Sequence, residues 1–334
     1  MNTEDQLIKR IARGVRSQFG RASGDLRLGI GDDAAVIRPG RGTELVLTCD
    51  AFLEGVHFLA RTHPPDSVGY KSLARATSDI AAMGATPRFF LLTLALPHKR
   101  TGRWLGEFLR GMGRAARSLG MRLIGGDTTK SAEVAISITV VGEVGAGEAV
   151  TRSGARPGDL IYISGILGRA QLGLELVLAG TGRQRGLAAI ARPHLYPRIR
   201  VELGRWLARH RIASGMIDVS DGLSSDLARL AEASGVGARV GADLIPVAPV
   251  PEAVSRLLGG RRLDPLLMAL HGGDDYELLF TVPRRKAKRL RAAPGFAGLT
   301  CIGEITRGRR LQMVDQDGRT RTLKPRGWDP FQRR

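Results

Sequence analysis

Cysteine, aromatic side chains and long apolar runs are all scarce in this 334-residue chain. The two cysteines, Cys49 and Cys301, stand far apart, which excludes a disulfide framework and any cysteine-based metal spacing and makes a reducing cytoplasm the expected compartment. Aromatics make up 5% of the residues and form no ribonucleoprotein-type stacking motif. No apolar run reaches the ~18 residues that a membrane helix needs. The stretch Met1–Gly20 is charged from Glu4 onward and repeats Leu7, Ile8, Ile11, Val15 and Phe19 at helical spacing. It is predicted to be an amphipathic helix and not a secretion signal. The dipeptide Gly-Lys is absent, so there is no Walker A loop. A protein-kinase motif set, a Gly-x-Ser-x-Gly elbow and a His-x-x-x-His pair are absent too, which argues against those kinases, serine hydrolases and zinc hydrolases.

Arginine and glycine, in contrast, are plentiful. The formal net charge is +19, and only 7 of the 51 basic residues are lysines. The dense runs come late, at Arg284–Lys286, Lys288–Arg289, Arg309–Arg310 and Arg319–Arg326. With no stacking platform beside them they read as solvated helix faces and turns, and no specific nucleic-acid partner is expected. A basic nucleic-acid-binding protein remains the rival class, and a salt-dependent shift of arbitrary duplex would reveal it.

A prior of ~150 residues per domain predicts two domains. Strands are expected at Glu44–Asp50, Phe89–Leu96, Met121–Ile124 and Ala135–Glu143, with helices over Ser67–Gly84 and Leu105–Leu119. The runs Leu91–Leu96 and Ala135–Val141 are too apolar for an exposed edge, which points to a pairing of the N-terminal domain with a second copy. The turn-rich segment Arg152–Asp159 marks a boundary, giving domains 1–146 and 147–334. Beyond it, strands are expected at Leu160–Ser164, Met216–Val219 and Glu277–Val282 and a helix over Ser224–Ala233. Interleaved strands and helices place the fold in the α/β or α+β class.

Five segments end an apolar run at Gly, Ser or Thr-Cys beside aspartate: Gly31-Asp32-Asp33, Thr48-Cys49-Asp50, Ser78-Asp79, Gly126-Asp127 and Asp218-Val219-Ser220-Asp221. Singly, each reads as a turn or a helix cap. Together, so many carboxylates at strand ends would repel one another and any nucleotide unless cations lay between them. Mg²⁺, which takes oxygen ligands and bridges carboxylates to phosphates, suits that role.

In order and spacing these segments resemble the thiamine-monophosphate kinase family, within the aminoimidazole-ribonucleotide synthetase-like superfamily. The resemblance runs nearly end to end. It is carried by Gly29–Ala35, by Asp50 with Gly55–Phe58, and by the strings Ser78–Ala85 and Ile124–Thr129. Further on it is carried by Thr151–Asp159, His194–Pro197, Ile217–Leu223, Gly272–Glu277 and Gly327-Trp328. It implies a two-domain fold whose N-terminal sheet closes into a barrel across a homodimer, with a C-terminal α/β domain closing the active site. It implies ATP-dependent phosphorylation of thiamine monophosphate to thiamine diphosphate by direct in-line transfer with several Mg²⁺ ions, in the cytoplasm, with neither membrane nor nucleic acid as partner. Asp33, Asp50, Asp79, Asp127, Asp218 and Asp221 fall on the family's magnesium-binding aspartates, and Thr48 and Cys49 on further metal ligands. Gly126, Asp127, Arg152 and Ser220 match nucleotide contacts, and Lys130 adjoins them. His57, Asp274 and Trp328 fall where the family meets thiamine phosphate. This chain departs from the pattern with Cys49 for Thr, Asp274 for Glu and Ala76 for Asn. Selenophosphate synthetase, a relative, would need a reactive cysteine near the N-terminus, and none precedes Cys49. The hydrogenase-maturation relative would need a C-terminal cysteine, which the ending Phe331–Arg334 lacks.

Overall fold

The structure, a computed structural model, describes residues 6–8, 10, 11, 25–30, 34–182, 184, 186–292, 295, 296 and 298–331. Two compact units form. One comprises Met1–Ile80 with Ala85–Gly147, the other Ala81–Gly84 with Glu148–Arg334.

In the first unit, β1 (Leu26–Leu28) pairs with β2 (Val36–Ile37). Strands β3 (Thr43–Leu53), β4 (Thr86–Leu96), β5 (Arg122–Lys130) and β6 (Ala135–Gly145) make a sheet in the order β3-β6-β4-β5. β6 runs antiparallel to both its neighbours, while β4 and β5 are parallel and joined through the helix Arg103–Leu119, as a parallel connection requires. Alternation along β4 buries Phe90, Leu92, Leu94 and Leu96 on one face. Phe89 packs with Ile124 and Val141 against Leu26, Ala35 and Ile37 of the β1–β2 ribbon. The helices Pro65–Ala82 and Arg103–Leu119 meet backbone to backbone. A Cβ at Gly69 would stand 2.0 Å from the Phe108 carbonyl oxygen, and one at Gly111 would stand 1.7 Å from that of Asp66. Only glycine permits that approach.

The apolar runs expected to need a partner are therefore satisfied within the sheet, because β4 and β6 are its two interior strands. The edge strands are β3 and β5, and on β3 Leu45 and Leu47 face outward, Leu47 with 63% of its surface accessible. Two strands also outlast their apolar residues. β3 continues past Asp50 to Leu53 and β5 past Gly125–Asp127 to Lys130, since partners on β6 and β4 hold polar residues in the ladder. Of the expected N-terminal helix, residues 6–8, 10 and 11 are helical with Leu7 and Ile11 buried, while Val15 and Phe19 lie outside the described residues.

The second unit holds β7 (Leu160–Ile163), β8 (Gly215–Val219), β9 (Gly237–Gly241), β10 (Glu277–Val282), β11 (Thr300–Thr306), β12 (Leu311–Val314) and β13 (Thr320–Thr322) in the order β13-β12-β9-β11-β7-β10-β8. Every neighbouring pair is antiparallel except β9 and β12, so this unit is α+β in character. Ile161, Ile163, Ile217, Val219 and Leu279 face the helix Leu223–Ser234 through Leu223, Leu227 and Leu230. The alternate residues Tyr162, Met216, Leu278 and Phe280 pack against Leu203 and Leu207 of the helix Val201–Arg209. With both faces covered, all six residues of β10 are buried. No described helix is long and apolar enough to cross a membrane.

Candidate functional site

In the first unit the register settles which expected ligands can meet. Asp50 lies in the row Asp50–Ile138–Leu92–Gly126, and Asp127 in the adjacent row Ala51–Ser137–Thr93–Asp127. The two aspartates are three strand spacings apart, roughly 14 Å, and alternation starts their side chains on opposite faces. Thr48 and Asp50 share the face that meets the helix Pro65–Ala82. There the Thr48 hydroxyl donates to Asp79 Oδ2 at 2.6 Å, and Arg75 Nε donates to Asp50 Oδ2 at 3.2 Å. Burial pushes the Asp50 carboxyl above the usual carboxylate range. Arg75 opposes the shift and the nearby Asp79 charge adds to it. Two crowded carboxylates and a hydroxyl form an all-oxygen donor set, and it fits Mg²⁺, which binds through one or two carboxylates and keeps water on its other positions. Cys49 points to the other face, its Sγ 3.3 Å from Ser137 Oγ. Asp33 lies outside the described residues. Among the described residues no group of three or more His, Cys, Asp or Glu side chains is gathered as a metal cage.

Asp127 lines a cavity of about 680 Å³ together with Ile8, Ile11, Ile30, Leu91, Ile124 and Gly126 among others. That volume is in the range of small-molecule sites. Gly126 has φ +147°, and a Cβ there would stand 1.9 Å from the Leu92 carbonyl oxygen, so glycine is required beside β4. His57 sits in the turn after β3, where its Nδ1 accepts the Leu53 amide at 3.0 Å. That bond leaves Nε2 to carry the proton of a neutral ring. Lys130 is exposed at the end of β5.

In the second unit one turn organises nearly every expected residue. Ser220 and Asp221 follow β8. The Ser220 carbonyl accepts the Asp274 amide at 2.8 Å, and the Asp221 carbonyl accepts the Trp328 amide at 3.0 Å. Two segments far apart in sequence are thus pinned to two successive peptide groups of the turn. Gly327 is needed there, because a Cβ would stand 2.1 Å from the Asp221 carbonyl oxygen. Trp328 itself is half-buried and is absent from the apolar core. Asp274 has φ +70° and Tyr276 φ +51°, left-handed backbone that is uncommon outside glycine. The Tyr276 hydroxyl donates to Asp274 Oδ1 at 2.7 Å, and His194 Nδ1 lies 3.7 Å from Asp274 Oδ2. Between those two residues, Asp275 accepts the Gly168 and Ala170 amides at 2.6 and 3.0 Å, anchoring the loop to the helix Arg169–Leu178. Asp218 is buried within β8 opposite Leu278. Arg152 is exposed and is not brought to the turn. The adjacent Thr151 carbonyl accepts the Met216 amide at 3.1 Å, four residues back along β8 from Ser220, or roughly 13 Å.

Sequence reasoning gave no role to Asp226, Arg229, Tyr276 or His194, although the last two lie in strings that carry the resemblance. Asp226 and Arg229 carried one faint signal, an opposite-charge pair at helical i,i+3 spacing. Asp226 is buried and its carboxyl is pushed up to about 6, by burial first and then by the Asp221 charge.

Residues 31–144 match the family described as AIR synthase related protein, N-terminal domain, and residues 156–316 its C-terminal domain. The chain is 37% identical to the thiamine-monophosphate kinase of Escherichia coli K12 over 332 residues, covering 98% of each chain. The chain belongs to the thiamine-monophosphate kinase family. The crystal structure of the family member from Stenotrophomonas maltophilia K279a matches with a TM-score of 0.79 at 37% identity, over 93% of this chain and 96% of that one. A ThiL structure described as complexed with AMPPCP and TMP matches with a TM-score of 0.75 at 32% identity, over 97% of this chain and 96% of that one. These two structures thus share the fold of this chain along nearly its whole length.

Proposed function

We propose that this chain transfers the γ-phosphate of ATP to thiamine monophosphate, giving thiamine diphosphate, the final step in making that cofactor. The observation that carries the reading is identity of 37% over 98% of both chains with a thiamine-monophosphate kinase. The related structure holding AMPPCP, an ATP analogue, together with TMP supports the same pair of substrates.

The acceptor is a phosphate monoester whose second pKa is ~6, so it is largely ionised at neutral pH and needs no strong general base. Transfer then rests on positioning and on charge neutralisation. Bound Mg²⁺ would neutralise phosphate charge, and Thr48, Asp50 and Asp79 are the residues whose arrangement suits it. Asp33, Cys49, Asp127, Asp218 and Asp221 complete the proposed ligand set. A thiol at position 49 is a softer donor than the usual hydroxyl and is poorly matched to magnesium. Gly126, Asp127, Arg152 and Ser220 are assigned to the nucleotide, and His57, Asp274 and Trp328 to thiamine monophosphate. Residues 1–146 would supply most metal and nucleotide contacts, and residues 147–334 the anchored Asp221–Asp274–Trp328 cluster. The exposed β3 edge supports a homodimer formed through the first unit, its sheets closing into a barrel. Consumption of ATP points to the cytoplasm.

The test is ATP consumption with thiamine monophosphate, thiamine or an aminoimidazole-ribonucleotide precursor as acceptor. Turnover with the monophosphate alone is expected. Turnover only with the aminoimidazole precursor would move the chain to another branch of the superfamily.

A further inference from the structure

The Ser220–Asp221 turn is held by two side chains that none of the roles above includes. Asp226, in the first turn of the helix Leu223–Ser234, is fully buried, and its two oxygens divide their work. Oδ2 accepts both the Ser220 and the Asp221 amides, each at 3.0 Å, while Oδ1 accepts Arg229 Nη1 at 2.6 Å. The same Arg229 nitrogen lies 2.6 Å from Asp221 Oδ2. One guanidinium therefore joins the buried carboxylate to the one assigned to metal, and offsets the repulsion between them. The backbone cannot easily relax around this knot. Gly222 has φ +109°, and a Cβ there would stand 2.9 Å from the Leu270 carbonyl oxygen.

We propose that Asp226 and Arg229 are positioning residues for the phosphoryl transfer: Asp226 fixes the backbone of the Ser220–Asp221 turn, and Arg229 clamps the Asp221 carboxylate in one orientation. This rests on the kinase reading. An unclamped aspartate is free to change rotamer, and in-line transfer is sensitive to displacements of about 1 Å. Because the same turn carries Asp274 and Trp328 on its carbonyls, its placement also sets theirs.

The divided oxygens allow the two roles to be separated. Asp226→Asn retains a carbonyl oxygen able to accept both amides but loses the charge that holds Arg229. Arg229→Met removes the clamp and touches neither amide. Both break the same link, so each is expected to lower kcat about tenfold, with KM for thiamine monophosphate within about twofold and the melting temperature within a few degrees. The double variant is expected to be no worse than the weaker single, the non-additivity of one shared interaction. Arg229→Lys should recover part of the loss. Amide hydrogen exchange at Ser220 and Asp221 should stay slow in Asp226→Asn and accelerate in Asp226→Ala. Wild-type kcat in both singles, additive losses in the double, or losses that merely track melting temperature would overturn the proposal. An inert wild-type chain would instead defeat the kinase reading, and the exchange arm, which needs no substrate, would still decide whether Asp226 anchors the turn.

Discussion

Trp328 shows how one residue can be fixed by its backbone and used through its side chain. The hydrogen bond that its backbone N–H donates to the Asp221 carbonyl survives any substitution except proline, while the indole is only half-buried. An indole against the cationic thiazolium of thiamine offers stacking and cation–π attraction of about 1 kcal/mol or more. Trp328→Ala is therefore predicted to raise KM for thiamine monophosphate several-fold, with little change for ATP and a melting temperature within a few degrees. Equal weakening for both substrates with a large drop in melting temperature would assign the ring to packing. Asp275 answers to pH instead. Burial pushes its carboxyl up to about 7, against the pull of the Ala170 and Gly168 amides. The folded chain then holds this proton more tightly than the unfolded chain does, with its ordinary carboxyl pKa of ~3.9. The contribution to stability is full below about pH 4 and is lost as pH rises through about 7. Asp275→Asn carries no such proton, so the melting-temperature advantage of the wild type over it should shrink between those limits. An advantage that grows would show that the two amides keep the carboxylate ionised in the fold.

At the scale of elements, the edge strand β3 poses the sharpest question. It is eleven residues long, lacks a strand on its outer side within the described sheet, and presents Leu45 and Leu47 outward. Long apolar edges invite pairing. Leu47→Lys is predicted to leave the fold intact and to convert a dimer to a monomer in sedimentation velocity at micromolar concentration. A wild-type chain that is already monomeric there would remove the dimer from the account. Much of the element order was legible because its signals are local. The β-branched run of Ala135–Glu143 and the amphipathic pattern of Leu105–Leu119 each declare themselves within fifteen consecutive residues. Strand continuation through Gly125–Asp127 was not legible, since polar residues and glycines stay in a ladder only when a neighbouring strand holds them. The candidate site divides in the same way. Its aspartates stood out beside glycine and serine. Two things were beyond reach, because each depends on a contact or register between residues distant along the chain: the placement of Asp50 and Asp127 on opposite faces, and the pinning of Trp328 to Asp221. The reach of Asp226 back to the turn spans only five and six residues, but it depends on how the chain bends between β8 and the next helix, which residue spacing alone does not give.

For the whole molecule, the preference for arginine over lysine among its basic residues has a partial structural account. Arginine forms two-pronged pairs with partly buried carboxylates, as Arg100 does with Glu54 at 2.6 and 2.8 Å and Arg200 with Glu277 at 2.6 Å twice. The planar fork of arginine suits these sites and lysine cannot replace it. The late runs, among them Arg309, Arg310, Arg319 and Arg321, are exposed, as a solvated surface requires. The aspartates impose an opposite demand. More carboxylates are assigned to the site than a single nucleotide-bound magnesium can serve, so activity is predicted to keep rising with magnesium beyond one equivalent over ATP. Saturation at one equivalent would count against the proposed ligand set. The central claim, direct transfer between two phosphates, is tested most directly by following ATP labelled in its γ-phosphate. The label should appear in thiamine diphosphate, one for each ADP formed, with none retained on the protein. Label found in inorganic phosphate while thiamine monophosphate is unchanged, or fixed covalently on the chain, would contradict it.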